Sequence, residues 1–220
     1  MTPERYRRLR AVLDLRQPDL TVLMDRVHKP HNLSAILRNC DAVGVLEAHA
    51  VPPEGGLEIS AGSSAGASKW VPVRRHRDIS TAVTALRASG FRVVAAHPTR
   101  GARDYRKIDF TQPTALLVGS ELQGLSDGGL DLADELGLIP MMGMVRSLNV
   151  SVATSLLLYE AARQRQDAGL YAHSRLDPEQ YRNLLFEWGY PRLARRMRAE
   201  GRAYPLIATD GSVDPADVPR

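Results

Sequence analysis

Ile139-Pro-Met-Met-Gly-Met-Val-Arg-Ser-Leu-Asn-Val-Ser-Val-Ala153 runs from an apolar, β-prone segment through a glycine-bearing loop to a polar pair, Ser147 and Asn149, at the start of a helix. Its polar groups fall where a strand ends and a helix begins, which is where open α/β sheets bind ligands, outside the carboxyl ends of their strands. Two similar junctions occur earlier, at His31–Arg38 and at Gly119–Gly124. Three such turns in one chain point to one composite site.

Working outward, the runs Thr21–Met24, Glu47–Val51, Trp70–Val73, Arg92–Ala96, Thr114–Val118 and Leu136–Pro140 read as strands. They alternate with helical patterns near 33–43, 78–89, 126–134 and 150–166. This alternation predicts βαβ crossovers, hence an α/β fold with a mostly parallel sheet flanked by helices. In the 33–43 helix, Leu33, Ile36, Leu37, Cys40 and Val43 fall on one arc and are predicted to face the core. Ser34, Arg38, Ala35 and Ala42 are predicted to face away. Asn32 is the expected N-cap and Gly44 the expected residue just past the end.

The 220 residues suffice for one core with appendages. The expected divisions are 1–18, a basic helical extension; 19–168, the core; 169–208, a helical extension starting its basic helix at Asp177 and running to Glu200; and 209–220, a tail without periodicity, expected to lack structure. The Gly-, Ser- and Ala-rich segment 54–68 reads as a long loop. The formal charge is +4, and arginines cluster near both ends, at Arg74, Arg75 and Arg77, and at Arg100, Arg103 and Arg106. Such stripes suit a polyphosphate partner, although any one of them also reads as a solvated helix face. A single cysteine, Cys40, leaves no disulfide framework and no cysteine-based zinc site. His28 and His31 have a metal-like spacing without a carboxylate or thiol beside them, so no metal is expected. Without a signal-peptide pattern or a long apolar run, no membrane association is expected, and the expected location is the cytoplasm.

The junctions His31-Asn32-Leu-Ser-Ala-Ile-Leu-Arg38, Leu116-Leu-Val-Gly119-Ser-Glu121-Leu-Gln-Gly124 and Ile139–Ala153 resemble, in content, order and spacing, the three signature motifs of the SPOUT RNA 2′-O-ribose methyltransferases of the TrmH type. Arg16-Gln-Pro-Asp-Leu-Thr-Val and Val27-His-Lys-Pro-His-Asn extend the match. The resemblance implies a homodimer, a deep trefoil knot near the C-terminal end of the core, S-adenosylmethionine as methyl donor, and tRNA guanosine 18 as acceptor. It implies cofactor contacts at Ala96, Gly119, Ile139, Met141 and Leu148, and catalytic roles for Asn32, Arg38, Glu121, Ser147 and Asn149. Arg38 is implied to lie near the cofactor and close to the other subunit. Arg8, Arg163 and Arg165 are implied to bind RNA. The chain departs from the pattern at Leu122, where a lysine is expected in close relatives.

Residue chemistry leaves alternatives beside these roles. Arg38 suits a phosphate clamp and hydroxyl orienter better than a base, because a guanidinium holds its proton. Asn32 doubles as a cap, Ser147 and Asn149 as a helix start, and Arg163 and Arg165 as cations at a helix C-terminus. The same motifs serve a methyltransferase of rRNA or of another tRNA position, and the basic helices alone would serve a non-catalytic RNA-binding protein. A nicotinamide-dependent dehydrogenase is disfavoured, since no Gly-x-Gly-x-x-Gly follows the first strand.

Overall fold

A computed structural model describes all residues except 54, 55, 57–65, 100, 121, 122 and 218–220. It divides into two compact units, Gln17–Leu170, and Met1–Arg16 together with Tyr171–Arg220.

In the larger unit the described residues form seven strands, β1 (Leu20–Asp25), β2 (Ala48–Val51), β3 (Val73–Arg75), β4 (Arg92–Ala96), β5 (Arg103–Asp104), β6 (Thr114–Gly119) and β7 (Glu135–Leu138). All neighbours run parallel, in the order β3-β2-β1-β6-β4-β7-β5. The α/β class with a parallel sheet therefore holds. Because side chains alternate across a strand, Val22, Met24, Leu116 and Val118 join the core under helices α2 (Pro30–Ala42) and α5 (Val150–Asp167). Leu23, Ala115 and Leu117 join the opposite core, under α3 (Ile79–Ala88). Burial on both faces explains why β1 and β6 are apolar almost throughout.

The chain builds β1, β2 and β3 outward in one direction and then crosses to β4 on the far side of β6. That reversal creates a crevice at the carboxyl ends of the central strands. The register levels those ends, with Asp25 opposite Gly119 and Ala96 opposite Gly137.

Several local expectations shift. Trp70–Val73 is not a strand: Ala67–Lys69 forms a 3-10 turn whose Ala67 carbonyl accepts from Trp70 and Val71 N–H. Pro72 has no N–H for a ladder, and pairing begins at Val73. Helix α2 starts three residues earlier than predicted, with Pro30 in its first turn and Lys29 as N-cap, so Asn32 is not the cap. Leu33, Ile36, Leu37, Cys40 and Val43 are buried as the arc predicts, but Ser34 is fully buried as well. The helix expected at 126–134 is short, α4 (Asp127–Asp131), with Ser126 as its cap.

The smaller unit contains α1 (Pro3–Leu13), α6 (Pro178–Gly189) and α7 (Pro191–Ala199). The single helix expected from Asp177 to Glu200 is two, because Pro191 opens a new helix after Tyr190 takes a non-helical φ of -131°. Asp177 caps α6 through the N–H groups of Glu179 and Gln180, as expected. Phe186, Ala194 and Met197 form its core, with Tyr190, Tyr204 and Val213 packed against them. Residues 209–217 carry more structure than composition suggests: the amino group of Met1 donates to the Gly211 carbonyl at 3.0 Å, and the Tyr190 hydroxyl donates to the same oxygen.

Candidate active site

The turn after β6 needs glycine at both ends. Ser120 and Gly124 exchange two backbone hydrogen bonds of 2.9 Å, and Gly124 has φ +70°. A Cβ on Gly119 would lie 2.2 Å from the Gly124 carbonyl carbon, so only a bare backbone closes this turn. Beside it, Ala96 ends β4, and the chain leaves β7 through Ile139 and Met141 toward α5. These segments enclose a cleft of about 500 Å3, lined by all five residues implied to hold the cofactor, Ala96, Gly119, Ile139, Met141 and Leu148. Ser147 and Asn149 line it too.

Asn149 caps α5, its Oδ1 accepting from Ser151 N–H at 2.9 Å and from the Ser151 hydroxyl at 2.6 Å. Its Nδ2 donates to Oδ1 of Asn32 at 3.1 Å. Since Lys29 rather than Asn32 caps α2, the buried Asn32 amide is turned to this pairing instead. Two turns further along α2, Asn39 Nδ2 donates to the Ser151 carbonyl at 3.1 Å. Thus two asparagines fix α2 to the start of α5. Asn39 was missed in the sequence, although its seven-residue spacing from Asn32 places both on one helix face. Lys29, His97, Ser120 and Arg146 were missed as well, and all line the cleft.

The electrostatics favour an anion beside an apolar group. Lys29 and Arg146 bring positive charge, and the N-terminus of the 18-residue α5 adds its dipole. Apolar Ile139, Met141, Leu148 and Val150 suit a flat ring. His97, which lines the cleft, has a buried Nδ1 without a hydrogen-bond partner among the described residues. Open space over Gly124, where a Cβ would meet nothing within 4 Å, gives a ligand close access to backbone. S-adenosylmethionine, with an adenine ring, a ribose and a charged amino acid, fits this donor set.

The remaining implied residues are distributed differently. Arg38 is exposed on α2 and is not among the described residues lining its own chain's cleft. Glu121 and Leu122 lie outside the described residues, as do Arg100 and most of the 54–68 loop. Arg8 is exposed on α1. Arg163 is exposed and paired with Glu160 and Asp167 at 2.7 and 2.8 Å. Arg165 corrects the expectation of an RNA contact: it is fully buried, ion-paired to Asp19 at 2.6 Å and bonded to Gln17 and the Phe110 and Gln112 carbonyls. Its macrodipole position holds, but the charge is used inside the unit. Cys40 is buried in the core. Among the described residues, no group of three or more His, Cys, Asp or Glu could hold a metal, and no helix is long and apolar enough to cross a membrane.

Comparison with known proteins gives this geometry its chemistry. Residues 19–159 match the SpoU rRNA methylase family, and residues 163–215 match the C-terminal SpoU rRNA methylase family. The chain is 49% identical over 216 residues to the tRNA (guanosine(18)-2′-O)-methyltransferase of Escherichia coli strain K12, covering 97% of this chain and 94% of that protein. The crystal structure of the A. aeolicus TrmH/SpoU tRNA modifying enzyme superposes with a TM-score of 0.80 at 42% identity, over 86% of this chain and 96% of that one. The SpoU methyltransferase AviRb from Streptomyces viridochromogenes, solved in complex with the cofactor AdoMet, matches with a TM-score of 0.61 at 35% identity, over 69% of this chain and 62% of that one.

Proposed function

The chain belongs to the SpoU rRNA methylase family, and from that membership we propose that it transfers a methyl group from S-adenosylmethionine to the ribose 2′-hydroxyl of guanosine 18 in tRNA, in the cytoplasm. The observation that carries the reading is the convergence of the last two motif turns on one 500 Å3 cleft, with Asn32 of the first motif joined to Asn149 at its edge. A tRNA substrate is favoured over rRNA because the likeness to the guanosine-18 enzyme runs through the terminal unit as well as the core. That unit supplies exposed arginines, Arg8 on α1 and Arg192 and Arg195 on α7, for phosphate contacts.

Ala96, Gly119, Ile139, Met141 and Leu148 would hold the cofactor, which supplies an electrophilic methyl group on a sulfonium sulfur. The protein's work is then to aim the 2′-oxygen and lower the cost of its ionisation. Asn149 and Ser147 offer neutral hydrogen bonds that orient the sugar without quenching the nucleophile, and Asn32 holds the Asn149 amide in place. Lys29 and Arg146 offer charge to the flanking phosphates. Arg38 binds a phosphate and orients the 2′-hydroxyl, whose proton passes to water as the methyl group is transferred. Glu121 belongs to the proposed catalytic set, with a carboxylate to hold Arg38 or a ribose hydroxyl. Orientation alone accounts for a large share of such a rate.

A homodimer belongs to the same proposal. Helix α5 is apolar on two sides: Leu157, Leu158 and Ala161 are buried, while Val152, Leu156 and Tyr159 remain exposed at 47%, 38% and 55%. Met142, Met144 and Val145 in the adjoining loop add 94%, 99% and 62% exposure. A second copy covering this surface explains the composition of α5 and accounts for an Arg38 that does not line its own chain's cleft. The trefoil knot is part of the proposal as well, supported by the return of α5 from β7 to pack against α2 and β6.

The test is incubation with labelled methyl donor and a tRNA transcript, followed by mapping of the labelled nucleotide. Label is expected on the ribose of guanosine 18 and should vanish in Arg38→Ala at unchanged dimer content. Asn149→Asp keeps the acceptor that caps α5 but loses the donor to Asn32; it should melt near the parent protein and turn over about tenfold more slowly. Label on a base nitrogen, or only on rRNA fragments, refutes the assignment.

A further inference from the structure

A second cleft, of about 690 Å3, opens at the same ends of the sheet on the α3 side. Nothing in the mechanism above uses it. Its lining includes Asp25, Arg26, His28, Arg77, Ser120 and Gln123, and Ser120 is shared with the cofactor cleft. Arg26 is the one non-glycine residue with positive φ, 54°, among the described residues. An L-residue holds that conformation only where its surroundings impose it, and such positions gather at functional sites.

Here the imposing contacts are visible. Arg26 N–H donates to the Val51 carbonyl at 3.0 Å, and its Nε lies 3.4 Å from Oδ1 of Asp25. Asp25 is itself 1% exposed and fixed through Oδ2 by the N–H and hydroxyl of Ser126, at 2.8 and 2.6 Å. A rigid carboxylate thus holds the near side of the guanidinium, while the side chain stays 41% exposed along the cleft.

We propose that this cleft receives the guanine base of the nucleotide being methylated, with Arg26 donating to its O6 and N7. The inference rests on the function proposed above and names the subsite that selects the base. When the 2′-oxygen stands at the methyl donor, the base, attached to the adjacent ribose carbon, must lie within one nucleoside of it. The cleft across Ser120 has the size of a small-molecule site and the charge to match. An arginine fork against O6 and N7 is the commonest specific contact to guanine, and adenine presents a donor where guanine has O6. Arg77, exposed and paired with Asp78 at 2.8 Å on the opposite rim, supplies charge toward the backbone.

The test uses tRNA assembled from synthetic pieces with guanosine or 7-deazaguanosine at the target position, the full-length protein, and Arg26→Asn, since asparagine tolerates positive φ. The parent protein should lose about tenfold or more in kcat/KM when N7 is removed. Arg26→Asn should lose about as much on guanosine and no longer distinguish the two substrates, with S-adenosylmethionine affinity unchanged by titration. Should that variant fail to bind the cofactor, Arg26→Lys, which keeps stem and charge but not the fork, should show the same loss of discrimination. Equal losses on both substrates, or a parent protein indifferent to N7, overturn the proposal. A parent protein that places no methyl on guanosine 18 refutes the proposed function instead, and that arm alone reveals it.

Discussion

Arg165 donates five hydrogen bonds to Phe110, Gln17, Asp19 and Gln112 while exposing no surface. Removing one partner of a buried ion pair leaves the other charge uncompensated, so Arg165→Met should destabilise the protein by about 3–5 kcal/mol, read as a lowered midpoint in denaturant. Arg163→Ala, two residues away but exposed, should leave the midpoint unchanged and weaken tRNA binding. Retained stability with weakened tRNA binding in Arg165→Met would restore the RNA role. The distinction was not legible in the sequence, where both arginines simply end a helix. What separates them is where the segments around Gln17 and Phe110 return. Asn32 teaches the converse: its cap reading failed because Pro30 starts the helix earlier. That earlier start directs the amide to Asn149.

At the scale of elements, β2 and the residue just past β3 are tied by a pair of imidazoles. His49 Nδ1 and His76 Nε2 lie 2.8 Å apart with their rings stacked at 5.1 Å. Burial, then His76 and Arg74, lower the His49 pKa from 6.5 to about 4, and burial lowers that of His76. Glu47, 3.8 Å away but 40% exposed, does not offset this. The folded form thus resists protonation that the unfolded chain accepts. Stability from the pair is complete above about pH 6.5 and lost as the pH falls from there toward 4, by about 3 kcal/mol. Melting temperatures across that window should fall for the parent protein and much less for a His49→Gln, His76→Gln double variant; equal slopes would remove the pair as the cause. The sequence disclosed β1, β4 and β6 as near-continuous apolar runs, and β2 and β7 by the apolar residues that follow Glu47 and Glu135. It misplaced β3, whose Val-Arg-Arg is mostly polar, and gave no signal for β5, two residues at the sheet edge. The break between α6 and α7 was legible in Pro191 and was overridden by the basic periodicity around it.

Across the whole molecule, the three motif turns bring their residues together unequally: the second and third line one cleft, Asn32 reaches it through Asn149, and Arg38 stays apart on an exposed face of α2. Sequence order disclosed the turns, but no periodicity states whether a side chain serves its own cleft or that of a second copy. The apolar stripe of Val152, Leu156 and Tyr159 makes the second arrangement the economical one, and mixing two inactive variants decides it. If Arg38 acts across the interface, a heterodimer of Arg38→Ala and Asn149→Ala collects both defects in one site and leaves the other intact. Random reassortment of equal amounts should then restore about a quarter of the parental rate. If Arg38 acts on its own chain's cleft, every site keeps one defect and mixing restores nothing. Adding Leu156→Asp to both chains, which sets a charge in the apolar stripe, should abolish the recovered activity and yield monomers by light scattering. Recovered activity in a dimer that persists with Leu156→Asp would show that the stripe is not the interface.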